Sequence, residues 1–166
     1  MNEAELEKIK IKALEEHIPI IMDDTLKVVG NLLGKIKPNA ILEIGTAVGY
    51  SAICFSKYLL DGGIIDTIER EHDRVEEAKR NIKLVDIADK INIIEGDAVE
   101  ILPTINKKYD AIFIDAAKGK YPFFLSEALR LINKNGYIIA DNVLYHLVLL
   151  YFHFSDLHFL LGLFLY

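Results

Sequence analysis

The chain has 166 residues, 52% of them hydrophobic, with a single cysteine and a net charge of −6 at neutral pH. That length suits one domain with a substantial core, and the lone Cys54 excludes an intrachain disulfide. The acidic balance excludes bulk attraction to phosphate backbones, so any nucleic acid would need a local basic patch. Lys8, Lys10 and Lys12 make one near the start, read as the solvated face of a helix. The charged N-terminus (Glu3, Glu5, Glu7, Lys8) has no apolar targeting core, which with the lone thiol predicts a cytoplasmic protein. Cys54 falls in an apolar helix and reads as a buried structural thiol.

In chain order, Leu6, Ile9, Ala13 and Leu14 recur at helical spacing over 2–17. A second helix is expected after Asp23-Asp24, which can cap it, presenting Leu26, Val29, Leu32, Leu33 and Ile36 until Pro38-Asn39 stops it. The period then changes. Short apolar runs follow at 40–44, 64–68, 91–94, 110–114 and 136–140, with helical patterns at 50–60, 71–85, 98–105 and 121–133 between them. Such alternation predicts an α/β fold, a parallel sheet with helices on both faces.

Residues 146–166 break this composition: they hold one acid, Asp156, and no Lys, Arg or Glu. The length approaches that of a membrane helix, but an acid in mid-segment costs about 2.5–3.5 kcal/mol on insertion. A membrane span is therefore not expected. The favoured reading is an aberrant apolar tail from a shifted frame, with Leu147 to Phe154 able to supply one substitute strand.

Two stretches carry the chemistry, Asp115-Ala116-Ala117-Lys118 and Asp141-Asn142, each directly after a predicted strand. Ligands of open α/β sheets gather beyond the carboxyl ends of strands. Asp115, Asp141 and Asn142 offer three hard oxygen donors, which suit Mg²⁺ with open positions for water and substrate. Ca²⁺ is the alternative; Zn²⁺ would want a His/Cys cluster, and His17 and His72 stand alone. Lys118 is the candidate base and, with Asp115, makes the catalytic set, although most lysines are simply solvated.

Upstream, Gly45 and Gly49 follow the first strand, but without G-x-G-x-x-G or a Walker lysine they serve neither NAD nor ATP phosphates. Glu69, ending the second strand, is placed to accept hydrogen bonds from ribose hydroxyls. Glu43 can face a cationic amino group, and Asp97 an adenine. Each acid has a plainer reading as a solvated charge or, for Asp97, a helix cap. Together they describe a ligand with adenosine, no phosphate and a cationic amino-acid tail: S-adenosyl-L-methionine.

These segments resemble the cation-dependent O-methyltransferases related to catechol and caffeoyl-CoA methyltransferases, and most of all the bacterial tRNA 5-hydroxyuridine methyltransferases. The resemblance rests on Ile41–Ser51, Thr67-Ile68-Glu69-Arg70, Gly96-Asp97-Ala98, Phe113–Tyr121 and Asp141-Asn142-Val143-Leu144, with His17-Ile18-Pro19-Ile20-Ile21 similar to the segment beside the methionine end of the cofactor. It implies a Rossmann-like class I S-adenosylmethionine-dependent methyltransferase domain over 1–145 (helices 1–37, core 38–145). It also implies Mg²⁺ on Asp115, Asp141 and Asn142, and a cofactor site including Ile21, Ser51, Glu69, Asp97, Ala98 and Asp115. The implied substrate is 5-hydroxyuridine in the anticodon region of tRNA, converted to 5-methoxyuridine by a homodimer. A small catechol-like phenol, or a remnant that only binds S-adenosylmethionine, are the alternatives. Family members continue past residue 144 with a further helix and closing strands, which the apolar tail replaces here. A sheet cut short there would leave an open edge, and compromised folding and activity are expected.

Overall fold

In a computed structural model the chain is described over residues 1–115, 118–143, 146–151 and 160–162, with side chains described up to residue 141 apart from 116–118. The elements run α1 (Glu3–Glu15), α2 (Asp23–Ile36), β1 (Ala40–Ile44), α3 (Tyr50–Ser56), β2 (Ile64–Glu69), α4 (His72–Leu84) and β3 (Ile91–Glu95). They continue with α5 (Ala98–Ile101), β4 (Tyr109–Ile114), α6 (Tyr121–Leu131), β5 (Ile132–Val143), β6 (His146–Tyr151) and β7 (Leu160–Gly162). The sheet order is β3-β2-β1-β4-β5-β6-β7. The first five strands are parallel, and β6 and β7 return antiparallel.

Period-two alternation in continuously apolar strands explains the layers. In β1, Ile41 faces a core built from α1 to α4, while its neighbour Leu42 faces the opposite core of α5 and α6. The same split separates Phe113 from Ile112 in β4 and Ile139 from Ile138 in β5. Each central strand therefore buries both faces, which is why these runs lack polar alternation. Phe55 of α3 meets Phe113 edge to face at 5.2 Å. Cys54 is 2% exposed in the α1–α4 core, and burial pushes its thiol up to about 11.

Three boundaries differ from expectation. α2 begins at Asp23 itself, with Met22 as the capping position. The two acids sit in the first turn, favourable to the helix dipole, and Asp23 takes the ammonium of Lys10 at 2.7 Å. α3 stops at Ser56 rather than 60, four residues into the turn that leads to β2. β5 starts early at Ile132, opposite Tyr109, then breaks register and resumes at Tyr137 opposite Ala111, with Asn135 at φ 66° inside the irregularity. The expected basic patch on α1 is neutralised: Lys8 pairs with Glu5, Lys10 with Asp23 and Lys12 with Glu77.

Beyond β5 the apolar segment supplies the substitute strand: β6 pairs with β5 from Tyr137↔Tyr151 to Val143↔His146. The β5 edge is thus occupied, and residues 152–154 of the expected strand lie outside the described residues. Among the described residues no helix is long and apolar enough to cross a membrane.

The opposite end of the sheet is pinned by Asp110. Its Oδ2 accepts the amides of Asn39 (2.8 Å) and Ala40 (3.1 Å), and its Oδ1 accepts Asn133 Nδ2 (2.7 Å), so one carboxylate ties the starts of β1, β4 and β5. Asp110→Ala is expected to lower the unfolding free energy in urea by about 2–3 kcal/mol; an unchanged midpoint and slope would remove that role.

Candidate functional site

The parallel strands β1, β2, β3 and β4 aim their carboxyl ends at one rim, and a cavity of about 370 Å³ opens there. Its wall includes Gly45 after β1, Glu69 at the end of β2, Gly96 and Asp97 after β3, Ala98 at the start of α5, and Asp115 after β4. Pro19, Arg70, Lys120 and Phe124 complete the sides.

The turn after β1 is held by backbone geometry. Gly45 takes φ 103° while its amide donates to Ile68 of β2 at 3.1 Å. Gly49 caps α3 at φ 82°, where an added Cβ would lie 3.3 Å from Ala78 Cβ, so positive φ and close approach both require glycine. Ala47 between them is also left-handed, φ 46°, and its amide donates to Glu69 Oε2 at 2.9 Å. Glu69 Oε1 meanwhile accepts the amides of Arg70 and Glu71. A carboxylate holding three backbone amides is fixed in place, with one acceptor site left on Oε2.

Of the sequence-derived cofactor residues, Gly45, Glu69, Asp97, Ala98 and Asp115 share this cavity wall, whereas Ile21, Glu43, Gly49 and Ser51 do not line it. Ile21 is packed in the core at 3% exposure, and the nearby wall residue is Pro19. Glu43 is fully enclosed on the α1–α4 side of β1. Its Oε1 accepts the Ser51 hydroxyl and its Oε2 the Thr67 hydroxyl, both at 2.5 Å. Since Thr67 has one hydroxyl proton, Thr46, 2.6 Å away, must be the donor in their mutual bond. A chain Thr46 to Thr67 to Glu43 therefore runs beneath the glycine turn.

Asp97 does cap a helix: its Oδ1 accepts the Val99 amide at 2.8 Å, while its Oδ2 lies 3.2 Å from Lys120 Nζ. These two contacts hold its carboxyl below the ordinary range. His72 is not alone, since its Nδ1 meets Glu95 at 2.9 Å, which raises its pKa.

Asp115 directly follows β4, whereas Asp141 and Asn142, expected just after the fifth strand, lie inside β5, which runs on to Val143. Ile114 is in register with Ala140, so the residues that follow them stand side by side, about 5 Å apart at the spacing of adjacent strands. The amide of Asp115 is tied to Ile44 O at 3.0 Å. Tyr121, half-buried at the start of α6, donates its hydroxyl to the Asp141 carbonyl, with the Ile114 carbonyl 3.2 Å away. It stitches the two tips together, and burial plus both carboxylates push its phenol pKa up. The side chains of Lys118 and Asn142 lie outside the described residues. Among the described residues no three His, Cys, Asp or Glu side chains converge as a metal cluster; two adjacent carboxylates are a hard-oxygen donor pair that fits Mg²⁺ or Ca²⁺ and not Zn²⁺.

Arg70, Lys120 and Phe124 in the wall, and Tyr121 beside it, are not among the residues expected from the sequence. Tyr121 and Lys120 follow the Asp115 stretch, and Arg70 directly follows the last residue of β2.

Burial is the leading cause that raises Glu43 to about 7, with Asp115 and Glu69 adding repulsion against two hydroxyl bonds. A carboxyl raised in the fold binds its proton more tightly there than in the unfolded chain. Its contribution is therefore complete below about pH 4.5 and is lost as pH rises through about 7. Relative to Glu43→Gln, the native chain is expected to lose about 3 kcal/mol of stability across that window. Parallel pH profiles of the two would contradict this.

A family profile described as O-methyltransferase matches residues 3–151, running six residues past the expected domain end at 145. A Mycobacterium tuberculosis catechol O-methyltransferase is 32% identical over 114 residues, 68% of this chain and 52% of its own. A provisionally assigned caffeoyl-CoA O-methyltransferase from Staphylococcus aureus superposes with TM-score 0.78 at 37% identity, covering 85% of this chain and 68% of that one. A Bacillus cereus O-methyltransferase in complex with S-adenosylhomocysteine gives TM-score 0.78 at 28% identity, covering 86% and 67%. The chain spans about half the length of the curated relatives it matches. With its match spanning nearly the whole described chain, the protein belongs to the O-methyltransferase family.

Proposed function

We propose that this protein is an S-adenosylmethionine- and Mg²⁺-dependent O-methyltransferase acting on an acidic hydroxyl that has a second oxygen beside it. The observation that carries the reading is the register of Ile114 with Ala140, which sets Asp115 and Asp141 on neighbouring strands next to a cavity whose wall holds Asp115 and Glu69. A cavity of about 370 Å³ falls in the range of about 300–1,000 Å³ that small-molecule sites occupy. Its acids Glu69, Asp97 and Asp115 suit a ligand that carries positive charge and no phosphate. Bound O-methyltransferases of similar fold hold S-adenosylmethionine or its product.

In this reading Glu69 accepts hydrogen bonds from the ribose, and Asp97 Oδ2 faces the base. The Gly45 turn, held by Ala47 and Gly49, admits the amino-acid end. Asp115, Asp141 and Asn142 would hold Mg²⁺, which supplies Lewis acidity that eases loss of the substrate's hydroxyl proton. Lys118, three residues after Asp115, takes that proton as the neutral amine, the form that a neighbouring divalent charge would favour. Tyr121 keeps the two carboxylate tips at a fixed separation, so the substrate oxygen is presented in line with the methyl group.

The acceptor we propose is 5-hydroxyuridine in the anticodon region of tRNA, on the strength of the motif string from Ile41 to Leu144. A catechol-like phenol is the second reading, favoured by the net charge of −6 and by the relatives named catechol O-methyltransferase. Both acceptors place a hydroxyl next to another oxygen, so one site chemistry serves either. A homodimer in the cytoplasm is part of the proposal.

Purified protein is expected to methylate one of these acceptors, with turnover reduced at least about 100-fold by chelator or by Asp141→Ala. Affinity for S-adenosylhomocysteine should meanwhile change less than about three-fold, since the variant leaves the Glu69 side of the site intact. Full activity in Asp141→Ala would overturn the metal assignment, and cofactor binding without turnover on either acceptor would identify a remnant. Nucleoside mass spectrometry of tRNA from a deletion strain tests the first acceptor: loss of 5-methoxyuridine supports it, and persistence in a strain with no second enzyme for that nucleoside removes it.

A further inference from the structure

Lys120 reaches from the residue preceding α6 across the cavity rim to Asp97 after β3, with Nζ 3.2 Å from Oδ2. Both side chains line the cavity. The other oxygen of Asp97 is committed to the Val99 amide at 2.8 Å, so Oδ2 is the one a ligand would seek. The pair is poorly shielded, with side chains 45% and 37% exposed, so it can be exchanged at little cost. Arg70, a second wall cation, is engaged with Glu71 at 3.0 Å.

We propose that Lys120 is an internal competitor for the cofactor: its ammonium occupies the Asp97 oxygen that the ligand's base must reach, and binding proceeds by exchanging that ion pair. Lys120 thereby sets cofactor affinity without touching the reacting atoms, which lie at the Asp115 side of the cavity. The inference rests on the S-adenosylmethionine reading of the site. It has two consequences that a purely structural contact would not have. Removing the ammonium tightens binding, and added salt, which screens the exposed pair, narrows the gap between variant and native protein.

The test is calorimetric titration of S-adenosylhomocysteine and S-adenosylmethionine into native protein, Lys120→Met and Lys120→Arg, at about 0.05 and 0.5 M salt. Lys120→Met keeps the aliphatic stem and is expected to bind both ligands roughly two- to five-fold more tightly at low salt. That advantage should shrink at high salt, and Lys120→Arg should match the native chain. Equal or weaker binding by Lys120→Met, while native protein binds normally, overturns the competitor role and leaves the cofactor reading standing. Binding by none of the three overturns both, whereas binding by Lys120→Met alone makes the competition stronger than proposed.

Discussion

Parallel strands pointing one way concentrate whatever their last residues carry, and here they carry acid. Glu43 and Asp141 lie near the carboxyl ends of β1 and β5, Glu69 ends β2 and Asp115 follows β4. Two such charges about 6 Å apart repel by about 3 kcal/mol at an effective dielectric near 20. The fold answers this at each acid separately. Glu69 is wrapped in three amides, Asp97 is capped and ion-paired, and Glu43, whose pKa burial raises, accepts two hydroxyls. Asp115 and Asp141 both lie near Tyr121, whose hydroxyl holds the Asp141 carbonyl and whose pKa burial and both carboxylates raise. The Ser51 and Thr67 hydroxyls on Glu43 and the amides on Glu69 sit where that charge is concentrated.

Much of this was legible in the sequence because a parallel sheet writes itself as continuous apolar runs. All five parallel strands fell where those runs lay, and the acids at their ends marked the rim. What was not legible depended on packing in three dimensions. Glu43 looked like a ligand for a cationic amino group because it precedes Gly45, but the alternation of β1 turns it to the Ile41 side, beneath the turn. Ile21 is drawn into the core beside Ile18, leaving Pro19 at the wall. Lys120 and Arg70 carried no periodic signal; only the folded turns show that they face the acids.

The helix start at Asp23 has a similar lesson. Two adjacent acids before an apolar pattern suggested a cap, yet Asp23 lies within the first turn and joins α2 to Lys10 of α1. Lys12 likewise reaches Glu77 of α4. These ties place the α1–α2 connection, and with it Pro19, against the cavity. On the other side, pairing of β6 with β5 buries an edge that the compositional break had suggested would stay open. Backbone pairing depends little on side-chain identity, so an apolar segment of unrelated composition can fill a strand position.

The central claim is that the Asp115 and Asp141 tips hold one divalent cation beside an adenosyl cofactor. Crystals grown with Mn²⁺ and S-adenosylhomocysteine test it directly, because the anomalous signal of the metal locates it without reference to activity. The account predicts a single peak within coordinating distance of both carboxylates, with the ligand's ribose on Glu69. A peak elsewhere, or ribose density away from Glu69 with no metal between the two tips, would contradict it.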